Sequence, residues 1–206
     1  KTKDKHMTTK TLQTKSSKPS TTAKKNTLTK EQQFKATKRI AELELQLWGV
    51  LFSEPRAVVR LVDQLHSKLR ALDDGELLDQ VTPLANNLTK RARTVVKNRK
   101  RGPAYDRAVG ALADRLWALD KDRLLVNCVR NEAMRIGTRR RTDNETVKTP
   151  HARKAEKKGR EVDMARHAFI QANQGLVYLM AQRYRQSKNQ LHFLDLVQEG
   201  NIGLIK

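Results

Sequence analysis

The residue types that this sequence lacks narrow its class. It contains one cysteine, Cys128, so no internal disulfide can form, and we expect the chain to reside in a reducing cytoplasm. Aromatic residues make up only 4% of the chain, which favours helices packed through Leu, Val and Ala over a sheet sandwich. No apolar run approaches the roughly 20 residues that a membrane span needs. We therefore predict an all-α protein without membrane insertion.

Motifs for catalysis, metal binding and nucleotide binding are missing as well. The histidines are His6, His66, His151, His167 and His192. They share no helix or loop spacing suited to a metal site, and there is no cluster of thiols to join them. The segment Gly200-Asn201-Ile202-Gly203 lacks the preceding strand of a nucleotide-binding turn. We expect no enzymatic activity, no metal, no cofactor and no small-molecule substrate.

Acidic residues are scarce relative to basic ones. The chain has 43 Lys and Arg but only 22 Asp and Glu, a net charge of +21 that attracts polyanions such as nucleic acid or an anionic membrane surface. Between Asn86 and Arg101 there are seven basic residues and no acidic one. This run predicts either phosphate contacts or an ordinary solvated helix face. The candidate phosphate contacts are Lys90, Arg91, Arg93, Lys97, Arg139, Arg140 and Arg141.

The order of apolar and polar segments predicts how the chain is divided. Residues 1–27 hold eight Lys and eleven Ser or Thr, which predicts a disordered basic tail. Thr29 and Gln32 have the spacing of a capping box at the start of a helix that extends to residue 52. Apolar residues then recur at helical intervals, interrupted by turn signals. The remaining predicted segments are a helical insertion over 53–136, a basic linker over 137–159 and a C-terminal helical part over 160–206.

The last helical stretch places charged and apolar residues on different faces. Asp195, Gln198, Glu199 and Ile202 stand at i, i+3, i+4 and i+7, so they share one face of a helix. The residues predicted to face inward are Leu194, Val197, Asn201 and Leu204. A compact acidic and amide face in so basic a chain suits docking onto a basic helical partner through charge-assisted hydrogen bonds. Spacing alone equally allows ordinary solvated helix surface.

These C-terminal residues resemble a known family. The segment Ala172-Asn173, Leu176-Val177, Ala181 and Tyr184, followed by the run from Phe193-Leu194-Asp195-Leu196 to Lys206, is similar to the paired helices of conserved region two in housekeeping-type bacterial sigma factors. The resemblance implies a helical bundle in which the second helix binds the clamp coiled coil of the largest RNA polymerase subunit. The positions it assigns to this contact are Asp195, Gln198, Glu199, Asn201 and Ile202. Helical spacing predicts that the core of this hairpin consists of Phe169, Leu176, Leu194 and Val197.

Residues near the start of the chain also resemble this family, and several positions differ from the family's pattern. Residues 28–40 resemble the end of the conserved segment that precedes region two, and the family tolerates a variable helical insertion between the two. Gln174-Gly175 replaces an Arg-bearing stretch of the family, and the loop 185–190 is longer than usual and lacks its glycine. The chain begins at Lys1 and ends at Lys206 within a helical pattern, so we expect it to be a fragment of a longer protein.

The resemblance implies a transcription function. We expect a sigma factor fragment that binds core RNA polymerase in the cytoplasm, associated with the nucleoid through the polymerase. The intact protein would contact promoter DNA and direct transcription initiation. Two alternatives stay open, namely a general basic nucleic-acid-binding protein and a truncated decoy that occupies the polymerase clamp.

Overall fold

The described part of the protein is almost entirely helical. The computed structural model describes residues 28–142, 145–186 and 192–205, so the predicted basic tail over 1–27 lies outside it. The elements are α1 (Lys30–Leu51), α2 (Pro55–Ala71), α3 (Gly75–Asn98), α4 (Pro103–Leu119), α5 (Leu124–Gly137), β1 (Thr138–Thr142), β2 (Glu145–Lys148), α6 (Pro150–Gln186) and α7 (Phe193–Ile205). The predicted all-α class is confirmed, with one short antiparallel strand pair in addition.

Capping groups in the sequence set where the first helices begin. The Thr29 hydroxyl accepts a hydrogen bond from the Gln32 amide at 3.3 Å, and the Gln32 side chain accepts one from the Thr29 amide at 2.9 Å. This is the predicted capping box, and it satisfies two amides that a helix start leaves without partners. Pro55 occupies the first turn of α2, where its missing N–H costs nothing. The Asp74 side chain caps α3 by accepting from the Leu77 amide at 2.9 Å.

One hydrophobic core holds α1 to α5 and the first half of α6 together. Each helix contributes apolar residues three or four positions apart, which is why each one has a single face toward the core. The fully buried leucines include Leu47, Leu51, Leu61, Leu65, Leu69, Leu88, Leu112, Leu116 and Leu125. Burying each of them stabilises the fold by about 1.5–3 kcal/mol relative to leaving it exposed.

A buried tyrosine ties the α1–α2 corner to α4. Tyr105 is 1% exposed, and its hydroxyl donates to the carbonyl oxygen of Phe52 at 2.7 Å. The Arg101 guanidinium, just before α4, donates to the carbonyl oxygen of Ser53 at 2.8 Å. Both bonds satisfy carbonyl groups where α1 has ended, so α4 is fixed against this corner.

The segment predicted as a basic linker, 137–159, has regular structure instead. It contains the β1–β2 hairpin and the start of α6, where Ala152 and Ala155 are fully buried. A Cβ on Gly137 would overlap the Cβ of Ala152, so glycine permits a close approach there. The packing residues are Gly and Ala, which give little hydrophobic periodicity. The prediction therefore failed because small side chains pack here without a visible apolar stripe.

The long helix α6 connects the main core to the C-terminal end of the chain. Its 37 residues span about 55 Å at the usual rise per residue. Arg166 donates to Glu44 of α1 at 2.6 Å, and both side chains are less than one-fifth exposed. Asp163 of α6 binds Arg130 of α5 at 2.8 Å and Arg123 at 3.3 Å. These partly buried ion pairs fix the direction in which α6 leaves the core.

Candidate docking surface on the C-terminal hairpin

The second half of α6 and α7 form a helical hairpin with its own small apolar interface. Val177 and Ala181 of α6 and Val197 of α7 are buried between the two helices. Phe193, Leu196 and Leu204 of α7 are half-buried and pack against them. On α7 these residues recur three, four and seven positions apart, so they define its packed face.

A glycine allows the two helices to approach closely at this interface. A Cβ on Gly200 would lie 2.6 Å from Cγ1 of Val177, which is shorter than any normal carbon contact. The rings of Tyr178 of α6 and Phe193, the first residue of α7, lie 6.1 Å apart. Gly200 is therefore a packing residue of the interface, with Phe193 seven positions before it on the same face.

The hairpin core predicted from the sequence is wrong at two positions. Leu176 is 44% exposed and Leu194 is 58% exposed, so neither is a core residue. Val197 is buried, and Phe169 is half-buried in a cleft lined also by Ile40 of α1 and Leu204 of α7. The packed face of α7 is rotated toward Phe193 and Gly200 by less than one residue step of about 100°, because Val197 and Leu204 belong to both the predicted and the observed face. The bulky ring at 193 and the glycine at 200 decide this rotation.

Sequence reasoning missed four packing residues, and part of the signal was present. Val177, Ala181, Phe193 and Gly200 form the contact, whereas the prediction followed the leucines on each helix. Glycine weakens a helix interior by up to about 1 kcal/mol relative to alanine, so its presence at position 200 indicates a close approach of backbone to a neighbour. Glycine alone does not select the packed face, because a Cβ on Gly203 of the same helix would have no atom within 4 Å.

The opposite face of α7 presents the predicted polar residues to solvent. Asp195, Gln198 and Glu199 are exposed, and Ile202 between them is 45% exposed. They lie on the side of α7 turned away from α6, as the i, i+3, i+4 and i+7 spacing requires. Within the described ranges, neither carboxylate forms an ion pair. This surface, called the outer face of α7 below, therefore offers acceptor groups to a partner at no cost in internal bonds.

Asn201 lies at the edge of the outer face and differs from its neighbours. It is half-buried, and its Oδ1 atom has no solvent contact and no hydrogen-bond partner among the described residues. A buried carbonyl oxygen without a donor costs about 1–3 kcal/mol. The structure therefore separates the five predicted polymerase contacts into four exposed residues and one partly buried amide.

Asn173 is a buried polar residue for which sequence reasoning assigned no role. It is 1% exposed, its Nδ2 donates to the Phe169 carbonyl oxygen at 2.8 Å, and its Oδ1 accepts from Gln33 of α1 at 3.0 Å. A buried amide with both groups bonded fixes one arrangement of the helices that it joins. Asn173 therefore sets the position of α1 beside the hairpin.

Large apolar side chains are exposed on the flank of the hairpin. Leu176, Leu179 and Met180 of α6 are each 38–45% exposed, and Leu194 on α7 is more exposed still. Exposed apolar residues close together on a short hairpin are typical of surfaces that bind another molecule. The hairpin therefore combines an acidic and amide face with apolar side chains beside it.

The predicted phosphate contacts lie on different elements. Lys90, Arg91, Arg93 and Lys97 are all exposed on α3. Arg139 is exposed on β1, which also contains Arg140 and Arg141, but the side chains of those two lie outside the described residues. Among the described residues, only the four candidates on α3 lie together on one helix.

The described residues give no support for a metal or membrane site. Across 28–142, 145–186 and 192–205, no three His, Cys, Asp or Glu side chains come together as a metal ion requires. Over the same ranges, every helix is too short or too polar to cross a bilayer. Comparison with known proteins yields no matching family model and no matching solved structure.

Proposed function

We propose that this chain binds core RNA polymerase through the outer face of α7 and acts in transcription initiation as part of a sigma factor. The observation that carries the proposal is the exposed pair of carboxylates on that face, in a chain of net charge +21. It is supported by the resemblance of residues 193–206 to the polymerase-binding helix of sigma region two. The partner would be the clamp coiled coil, and promoter DNA would be contacted by the intact protein.

Under this proposal the helices take distinct roles. Helix α1 corresponds to the conserved segment before region two, helices α2 to α5 to the variable insertion, and the hairpin of α6 and α7 to the start of region two. The ion pair of Arg166 with Glu44 joins α6 to α1, and that of Asp163 with Arg130 joins α6 to α5 of the insertion. The outer face is therefore presented on a rigid support, which lowers the entropic cost of binding.

Docking would combine two kinds of contact. The carboxylates of Asp195 and Glu199 would accept charge-assisted hydrogen bonds from Lys or Arg side chains of the coiled coil. Exposed Ile202 and Leu194 would lose their contact with water and supply apolar contact area. Glu199 lies centrally on the outer face, where a residue at the centre of an interface contributes most, so its loss is expected to be costly.

The test measures binding of the 206-residue chain to core RNA polymerase at moderate salt. Glu199→Lys is expected to weaken binding at least about 30-fold, the equivalent of a 2 kcal/mol hot spot. Asp114→Lys makes the same change of charge at an exposed position of α4 and is expected to bind like the wild type. Glu199 is preferred to Asp195 because Asp195 lies in the first turn of α7 and also stabilises the helix dipole.

A variant lacking residues 1–27 separates docking from general electrostatics. If the wild type, Glu199→Lys and Asp114→Lys bind alike while removal of 1–27 abolishes binding, the interaction is with the basic tail and the proposal fails. Raising the salt concentration gives a second criterion. Docking that is anchored by apolar contacts should weaken less with salt than phosphate-type binding does.

A further inference from the structure

The outer surface of α3 carries a straight line of cations. Lys90, Arg93 and Lys97 stand at i, i+3 and i+7, which places them on one side of the helix. The buried residues of α3 are Val81, Ala85, Leu88 and Ala92, on the opposite side. The three cations, called the α3 stripe below, are exposed and extend over about 10 Å of helix at 1.5 Å per residue.

Among the described residues, no carboxylate forms an ion pair with the α3 stripe. From Gln80 to Tyr105 the sequence has no acidic residue, and no ion pair to Lys90, Arg93 or Lys97 is found among the described residues. Elsewhere in the protein basic side chains are paired, for example Arg130 with Asp163 and Arg166 with Glu44. The chain therefore contains acidic residues that pair with other cations, but in the described part of the chain none of them is placed to pair with the α3 stripe.

Helix stability does not account for the α3 stripe. Lys97 lies in the last turn, where a cation interacts favourably with the helix dipole. Lys90 and Arg93 lie more than one turn from the end of α3, where this effect has faded. Like charges three or four positions apart instead destabilise a helix by about 0.2–0.5 kcal/mol per pair. A bound polyanion would remove this repulsion.

We propose that the α3 stripe binds the phosphate backbone of a nucleic-acid duplex. Each strand of a duplex carries one charge per roughly 3.4 Å of axis, so about 10 Å of helix matches about three phosphates. Single strands are usually held by stacking on exposed aromatic rings, and α3 contains no aromatic residue. The apolar side of α3 is buried in the core, so it cannot insert into a membrane surface. The surface would contact phosphates without reading bases.

This site does not depend on the proposed docking of α7, because the two surfaces lie on different helices. A chain with the α3 stripe would bind a duplex whether or not Glu199 contacts polymerase. Glu199→Lys is accordingly expected to leave duplex binding by the α3 stripe in place.

The experiment measures binding of the full 206-residue chain to a random-sequence DNA duplex of about 30 base pairs over a range of salt concentrations. The test variant is Lys90→Gln/Arg93→Gln/Lys97→Gln. Gln has nearly the helix propensity of Lys and Arg, so the variant should keep its helix content in circular dichroism. The control is Lys38→Gln/Lys154→Gln/Lys157→Gln, which removes the same charge from exposed positions of α1 and α6.

Loss of three phosphate contacts should reduce the slope of log K against log salt by about 2.7, at about 0.9 per contact. Between low and moderate salt the wild type should therefore lose about 40-fold more affinity than the test variant for a fourfold rise in salt. The control should retain most of the wild-type slope. Equal slopes in the test and control variants would show general electrostatics and overturn the proposal.

Two further probes identify the ligand. A single-stranded DNA of the same length should bind with little difference between the test and control variants. Vesicles that contain anionic lipid should show the same lack of difference. If the test variant loses affinity only for the single strand or only for the vesicles, the assignment to a duplex is wrong.

Discussion

Replacing Gly200 with alanine should separate α7 from α6. The new Cβ would meet Cγ1 of Val177 at 2.6 Å, about 1 Å closer than the separation at which two carbon atoms attract. Valine is stiff about its first side-chain torsion, so the methyl group cannot rotate away at low cost. The helices must therefore move apart, although the substitution by itself favours helix formation.

Gly203 provides a matched control on the same helix. A Cβ at Gly203 has no atom within 4 Å, so Gly203→Ala gains only helix propensity, up to about 1 kcal/mol. Gly200→Ala gains the same propensity and loses about 1–3 kcal/mol through overpacking. The difference between the two variants isolates the steric cost, which corresponds to a factor of about 5–150 in the docking equilibrium of α7.

Hydrogen exchange of the α7 amides measures this equilibrium locally, which a global melt does not. Amides around Val197 should exchange faster in Gly200→Ala than in the wild type, and no faster in Gly203→Ala. Adding Val177→Ala to Gly200→Ala removes the clashing methyl group and should restore part of the protection. Equal protection in both single variants would mean that the helices do not approach closely at Gly200.

Three further outcomes follow from the main core. Tyr105→Phe leaves the Phe52 carbonyl oxygen without its donor, so urea unfolding should show a loss of about 1–3 kcal/mol, and an unchanged midpoint would contradict the buried bond. Thr29→Ala removes the capping box and should cost about 1 kcal/mol, seen as faster exchange in the first turn of α1 alone. Burial lowers the pKa of His66 from its usual 6.5, with Arg70 lowering it further, so the unfolded chain takes up the proton more readily than the folded one. Stability from His66 is therefore complete above pH 6.5 and lost as pH falls toward the folded pKa, so in His66→Leu the urea midpoint should depend less on pH below 6.5 than in the wild type.

The strongest sequence signals were those that act locally. Thr29 and Gln32 form the predicted capping box, and the apolar stripe from Val58 to Leu69 is buried along α2. Capping and helical periodicity depend on residues three or four positions apart, so both partners can be recognised in one short stretch of sequence. The exposed outer face of α7 follows in the same way from the spacing of its polar residues.

Contacts between residues far apart in the sequence were harder to predict. The segment over 137–159 was predicted as a linker because its packing residues are Gly137, Ala152 and Ala155, which have almost no apolar periodicity. The orientation of α7 was predicted from its leucines, whereas the contact of Gly200 with Val177 determines it. To predict either contact, one must know which surface of the protein packs against residues 137–159 or against α7. The sequence alone does not give this information.

The sequence by itself determined the helical class, the helix starts and the polar face of α7, because each of these depends on neighbours along the chain. Only the tertiary structure decided which side of α7 is buried, that Leu176 and Leu194 are exposed, and that Asn173 bridges α1 and α6. These features depend on close packing, in which the size and shape of a side chain from another helix select one rotation among several of similar hydrophobicity.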